Sequence, residues 1–479
     1  MFAVPEAGWF TVALLIGFIA AACSTRTLND GDTFWHLRTG EGILDHRAVP
    51  FTDPFSFTFG GKAWHVHEWL GEVYLALAWR AAGWSGVIAA TALAAGTALG
   101  LINVWLRRHV SGPVAILALV LAFAGISPGM LARPQLLAVP MLAGWTLILL
   151  HARAAGRAPK PQWLLLMLAW ANLHGTSVFG AALVGPFALE ALLAARGSAA
   201  RWQVVREWAL FGIGALAALL ATPRGLDGVL FLIGLTQMKT LQLIGEWRPT
   251  SLTQLSPALL LAGAGAASLL LRRVAVPPVR LALLILLVAM TWQHQRHQVL
   301  LAVVGTMVWA EAFGRGVQAK PALWRAWLPT GALALLAGAM GLRLAIPAQP
   351  AESAVYPVSA FAHVPAALRG RPVLNGNHSG GFLISQGIKP FIDSRTDLYG
   401  DDFNLRDNWI EYGGPGQVAK ALDEFRIEWT FLPSDSPAAH QIDAMAGWRR
   451  IHADQWVTIH ARDAAVVSNA AATNEKGPG

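Results

Sequence analysis

The segment Asn29-Asp30-Gly31-Asp32-Thr33-Phe34-Trp35-His36-Leu37 follows directly on the first apolar stretch of the chain. It sets two carboxylates, an imidazole and an indole where a membrane helix would emerge into water. A partly dehydrated carboxylate has its pKa raised toward neutrality and can then act as a general base. Bilayer spanning alone has no use for such a group, so the segment points to chemistry at a membrane surface. A plainer reading stays open beside it. Asn-Asp-Gly-Asp is also good turn chemistry and a good N-cap for a helix beginning near Thr33.

Other polar residues interrupt apolar sequence further on: Arg133, then Asn172 and His174, then Glu246 with Trp247, then Gln293-His294-Gln295-Arg296-His297. Ionisable groups at membrane depth are costly and usually line a cavity or pathway. The competing readings are plain ones: Arg133 and Arg296 as snorkelling interfacial anchors, and His174 as a helix cap. His65-Val66-His67-Glu68 alternates like a strand and gives only a weak metal signal. Near the C-terminus, His378, Asp393, Arg395, Asp397 and Tyr399 surround a turn. They read either as acceptor contacts or, preferably, as an Arg395–Asp397 pair holding a strand end. No Gly-rich phosphate loop, HExxH or GxSxG is present, which leaves nucleotide hydrolysis and serine-type catalysis without a motif.

These residues have to be positioned by membrane helices. Of the 479 residues 55% are hydrophobic and only 13% charged, about half the charge content of soluble domains. Apolar runs between breakers predict about eleven transmembrane helices, near 8–24, 84–105, 113–131, 134–151, 161–173, 175–195, 205–222, 251–271, 278–293, 297–314 and 326–346. Residues 226–238 are too short to span. The net charge of +8 sits in short loops, which reflects membrane topology and not a nucleic-acid partner. Placing the N-terminus inside puts the Arg/Lys-rich loops on the cytoplasmic side, and the first loop (25–83) and everything after about 347 outside. The candidate residues then share the outer face. The single cysteine, Cys23, excludes an internal disulfide and any Cys-based metal site. The segment before it reads as an uncleaved first helix.

The expected organisation is a membrane domain over 1–347, a linker over 348–358, a small extracytoplasmic α/β domain over 359–464 and a disordered tail over 465–479. Within the small domain, strand-like runs lie at 372–375, 381–384, 390–393 and 429–432. A helix is expected over 417–425 and a hairpin over 448–460.

The first loop continues into Val49-Pro50-Phe51-Thr52-Asp53-Pro54-Phe55 and then His67-Glu68-Trp69-Leu70. An acidic motif with Trp-His-Leu, a Val-Pro-x-x-Asp-Pro-Phe segment and a His-Glu-Trp-Leu helix together resemble bacterial members of the GT-C glycosyltransferase superfamily. That superfamily includes oligosaccharyltransferase catalytic subunits, protein O-mannosyltransferases and the lipid A aminoarabinose transferase. Substrate-unassigned bacterial relatives also carry the Gly380-Gly381-Phe382-Leu383 and Phe391-Ile392-Asp393-Ser394-Arg395 pattern.

The resemblance implies a GT-C-like fold and transfer of a sugar from a polyprenyl-phosphate donor to an acceptor at the outer face of a bacterial inner membrane. It maps the family's acidic residue onto Asp32, with Asp30 as companion. The pair serves either as base and neighbour or as ligands of Mg2+ or Mn2+. Arg133, Arg296 and His297 are then the cations for the leaving phosphate, with Glu246 and His36 beside them. Asn172 and His174 would meet sugar hydroxyls, Trp35 would stack on a sugar face, and His67 and Glu68 would orient the loop. His378, Asp393 and Arg395 are the acceptor candidates. The rival readings are a transporter or flippase of lipid-linked saccharides, an O-antigen ligase or polymerase, and a scaffold.

Overall fold

The computed structural model describes residues 4–251, 256–314 and 327–463. The chain forms two compact units: Met1–Thr27 with His67–Thr236 and Leu241–Ala348, and Leu28–Val66 with Gln237–Thr240 and Gln349–Gly479.

The first unit is helical. It begins with α1 (Val4–Ala22), and α2 (Gly31–His46) belongs to the second unit. Then follow α3 (Trp69–His109), α4 (Gly112–Ile126), α5 (Pro134–Ala154), α6 (Leu164–Leu173), α7 (Ser177–Ala194) and α8 (Ser198–Leu220). The unit continues with α9 (Gly225–Leu235), α10 (Pro257–Leu271), α11 (Pro278–Gln293), α12 (Gln298–Leu300), α13 (Thr306–Phe313) and α14 (Trp327–Ala345). Among the described residues five helical stretches are long and apolar enough to cross a membrane: Trp69–His109, Gly112–Gly129, Pro134–Ala154, Ser177–Ala194 and Ser198–Leu220. Five shorter apolar helices accompany them.

The expected loop 25–83 ends earlier than the apolar pattern implied, because α3 starts at Trp69 and bends only at Ala82 and Gly83. Gly83 has φ 56° there, a conformation that costs glycine little and other residues more. Further along, α3 takes α1 at close range. A Cβ at Gly96 would lie 2.5 Å from the Leu14 carbonyl, and one at Gly100 would lie 2.7 Å from the Phe10 ring. Glycines four apart let two membrane helices approach closely, where dispersion replaces the hydrophobic drive that lipid cannot supply. The Asn103 amide seals the contact by donating to the Trp9 carbonyl at 2.9 Å.

The second unit carries a four-stranded sheet of β1 (Val373–Asn375), β2 (Trp429–Pro433), β3 (Trp448–Ala453) and β4 (Val457–Arg462), in the order β1-β2-β4-β3. The β1–β2 pair is parallel and the others antiparallel. Its helices are α2, α15 (Val358–Ala362), α16 (Asn377–Ser385), α17 (Thr396–Glu411), α18 (Gln417–Glu424) and α19 (Pro437–Asp443). Val373, Trp429 and Phe431 pack into one apolar cluster, while Leu374 and Leu432 pack into another. Side chains alternate across a strand, so the sheet is covered on both faces.

Two expected strands are absent. Residues 381–384 lie inside α16. A Cβ at Gly380 would meet the Ile392 carbonyl at 2.3 Å and one at Gly381 the Gly31 carbonyl at 2.0 Å, so the Gly-Gly pair serves close helix packing. Residues 390–393 run without joining the sheet, because side chains satisfy their backbone. The Phe391 N–H donates to Asn375 Oδ1 at 2.8 Å, Asn375 Nδ2 donates to the Ile392 carbonyl at 2.8 Å, and Thr58 Oγ1 donates to the Phe391 carbonyl at 2.6 Å. The expected helix and hairpin are present as α18 and β3–β4. The tail after 463 lies outside the described residues.

Candidate active site

In the second unit, Asp30 is the N-cap of α2, and its Oδ1 accepts the Asp32 backbone N–H at 2.8 Å. The helix starts at Gly31, as the capping reading of this segment anticipates. Asp32 occupies the first turn and stays part-exposed, its Oδ1 accepting the Trp35 indole N–H at 3.2 Å. Trp35 also donates to Ser394 Oγ at 3.2 Å and packs on His36, whose ring centroid is 3.6 Å away. Each carboxylate therefore spends one oxygen on capping or orienting its own helix. Among the described residues no group of three or more His, Cys, Asp and Glu side chains is arranged to hold a metal ion. Asp30 and Asp32 do not form a cage by themselves. A Mg2+ or Mn2+ ion bound there would have to complete its shell from substrate oxygens and water.

Two of the three acceptor candidates are interior residues. Arg395 donates from Nε to Asp393 Oδ1 at 2.7 Å, from Nη2 to Asp393 Oδ2 at 2.6 Å and from Nη1 to Asp53 Oδ1 at 2.7 Å. All three side chains are wholly buried. Tyr399 donates to Asp393 Oδ2 at 2.7 Å, and the guanidinium lies over the Trp64 ring at 4.6 Å. Burial alone would lower the pKa of Arg395, but Asp393, Tyr399 and Asp53 drive it well upward. The network commits the charged groups of Asp393 and Arg395 to one another and to Asp53 and Tyr399. The partners of Arg395 are Asp393 and Asp53, not the expected Asp397. Asp53 has no assigned role in the sequence pattern; its signal is a carboxylate between two aromatics in Phe51-Thr52-Asp53-Pro54-Phe55. His378, by contrast, is exposed at the start of α16.

In the membrane unit, three residues from two separate sequence motifs come together. The Thr176 N–H donates to His174 Nδ1 at 3.0 Å, which leaves the proton of a neutral ring on Nε2. Nε2 faces Glu68 Oε1 at 3.1 Å, and His67 Nε2 lies 3.4 Å from the same oxygen. A carboxylate that fixes an imidazole's tautomer and raises its basicity is a recurrent device at proton-transfer sites. Asn172 has a different job. Its amide donates to the Leu168 and Ala221 carbonyls at 2.9 and 3.0 Å, and its Oδ1 accepts the Trp69 indole N–H at 2.8 Å. Both amide hydrogens are committed, so Asn172 ties helices together.

A second group of the same unit joins residues from three connections. Glu246 lies 4.0 Å from Arg133 and 3.5 Å from Arg296. The Arg296 guanidinium stacks over Trp247 at 4.2 Å. His294 Nδ1 bonds the Trp247 carbonyl at 2.6 Å, and His297 Nδ1 bonds the Met290 carbonyl at 3.1 Å. His297 lies beside this group, its ring edge-on to Trp247 and His294. Two arginines held on one carboxylate form a fork able to bind a phosphate.

The membrane helices and the small α/β unit define the class: a helical membrane protein with the fold of an archaeal oligosaccharyltransferase. The chain is similar to the crystal structure of the Archaeoglobus fulgidus oligosaccharyltransferase in the apo form, with TM-score 0.51 and 11% identity over 88% of this chain and 70% of that one. It is also similar to the archaeal oligosaccharyltransferase AglB from Archaeoglobus fulgidus in complex with an inhibitory peptide and a dolichol-phosphate. There the TM-score is 0.54 and the identity 10%, over 90% of this chain and 69% of that one. No family model and no curated protein sequence matches the chain.

Proposed function

We propose that the protein is a membrane glycosyltransferase that moves a sugar from a polyprenyl-phosphate-linked donor to an acceptor at the outer face of a bacterial inner membrane. The observation that carries this reading is the Arg133–Glu246–Arg296 fork within a fold shared with a lipid-phosphate-binding oligosaccharyltransferase. The same likeness favours transfer over transport. In this reading about eleven spans hold the membrane domain, the N-terminus is cytoplasmic and the sheet domain is extracytoplasmic.

Asp32 takes the proton of the acceptor hydroxyl or amine as it attacks the anomeric carbon. The anomeric C–O bond breaks and its electron pair leaves with the lipid phosphate, whose charge Arg133 and Arg296 offset. Asp30 holds Asp32 through the helix cap, and Trp35 orients its carboxylate. Glu68 fixes the His174 imidazole, with His67 beside it, as a hydrogen-bonding pair for the sugar. On the acceptor side only His378 remains a candidate.

The test is release of radiolabelled sugar from short-chain polyprenyl-phosphate donors by purified protein, comparing wild type with Asp32→Asn, each with and without EDTA. Release by wild type and not by the folded variant supports the reading, and the EDTA arm decides whether a divalent ion takes part. Equal release by both proteins removes Asp32 as base.

A further inference from the structure

The antiparallel pair α7–α8 encloses a groove of about 640 Å3, lined among others by Val178, Gly185, Leu192, Val204, Trp208 and Leu219. That volume lies within the range of small-molecule sites, about 300–1,000 Å3. From Val178 to Leu192 the groove follows α7 for about 21 Å at ~1.5 Å per residue, longer than the half-thickness of ~30 Å of hydrocarbon. The walls are apolar, with two glycines that leave room. A Cβ at Gly185 would meet nothing within 4 Å, and one at Gly212 would touch only Val184, at 3.9 Å.

At one end the chemistry changes. Arg201 precedes Val204, Val205, Trp208 and Gly212 at three- and four-residue spacing, which puts it on the groove face of α8. Its Nε donates to the carbonyl of Ala195, the C-cap of α7, at 3.3 Å, so the guanidinium sits at the closed end of the helix pair. Arg196 lies in the short connection between α7 and α8, exposed. Neither arginine has a carboxylate partner among the described residues.

We propose that this groove holds one anionic phospholipid, its phosphate on Arg201 and Arg196 and an acyl chain along α7 and α8. An uncharged or zwitterionic lipid would fill the apolar part but leave the arginines unmatched. An arginine guanidinium matches phosphate geometry by paired N–H donors. The site is separate from the Arg133–Arg296 fork and independent of the proposed transfer reaction.

The experiment is native mass spectrometry of the full chain in detergent, with added phosphatidylglycerol or phosphatidylcholine, together with thermal unfolding. Wild type is expected to retain a single phosphatidylglycerol and to gain a few degrees in Tm at about a hundredfold excess over Kd. Gly185→Leu, which fills the groove, should lose the adduct. The double variant Arg196→Gln/Arg201→Gln should lose only the preference for the anionic lipid. Equal retention of the two lipids by wild type, or an undiminished adduct in folded Gly185→Leu, overturns the proposal.

Discussion

Asp53 and Arg395, 342 positions apart in the chain, meet through an Oδ1–Nη1 bond of 2.7 Å, with neither side chain exposed. Removing one partner of a buried ion pair strands the other charge at a cost of about 3–5 kcal/mol. Arg395→Met strands two carboxylates, Asp53 and Asp393. The variant is expected to lose at least that much stability, and thermal unfolding followed by tryptophan fluorescence would show it. An unchanged Tm would contradict the structural role assigned to the network.

The Arg133–Glu246–Arg296 group predicts opposite effects from neighbouring substitutions. Glu246→Gln removes the anion that a phosphate must displace, so polyprenyl-phosphate should bind up to about fivefold tighter, the worth of a part-exposed ion pair. Arg296→Gln removes a charged donor and should weaken binding by about tenfold or more. Calorimetric titration with a short-chain polyprenyl phosphate measures both. Weaker binding in both variants would mean that Glu246 holds the arginines in place and does not compete for them.

Asp407 lies 7% exposed on α17, and burial, with the nearby charge of Glu411, pushes its pKa well above the usual carboxylate range. A raised folded-state pKa stabilises the protein fully below the unfolded value of about 3.9. That contribution disappears as pH rises through the folded pKa. At pH 8 the residue is a liability, and Asp407→Asn should raise Tm there while making little difference at low pH. A variant less stable than wild type at pH 8 would show that the carboxylate is needed.

His460 titrates with the opposite sign. Burial lowers its pKa, only partly offset by Asp443, whose Oδ1 lies 3.0 Å from Nε2. Its contribution is therefore present above the unfolded value of about 6.5 and is lost as pH falls toward the folded one. In the Asp407→Asn background, Tm should drop between pH 7 and 5. Replacing His460 by Gln should flatten that slope.

Local signals in the sequence were readable where local physics decides the outcome. Asp30 caps α2 as Asn-Asp-Gly-Asp chemistry suggests, and β3–β4 forms where the hairpin pattern lies. The membrane character follows from apolar runs that only helices can satisfy. The misreadings came from partners far away in the chain. Phe382-Leu383-Ile384 has strand-like composition, but Gly380 and Gly381 commit it to close packing against Ile392 and Gly31. Arg395 looked paired with Asp397 because the two are near in sequence, and nothing local announces Asp53. Asn172 looked like a ligand because an amide at a helix end is unusual in an apolar run. The three groups bonded to it come from Leu168, Ala221 and Trp69.

The bend at Ala82–Gly83 gives α3 two independent lengths. The stretch after it is about 39 Å long, enough for ~30 Å of hydrocarbon, and the stretch before it is about 21 Å at ~1.5 Å per residue. Glu68 stands at the far tip of that shorter rod, gripping His174 on another helix pair. The rod therefore works as a ruler. One added helical turn before Gly83 would carry the carboxylate about 5.4 Å along the axis, beyond reach of the imidazole. Insertions between Trp69 and Ala82 should be far less tolerated than insertions of equal size in the surface turn at Gly156.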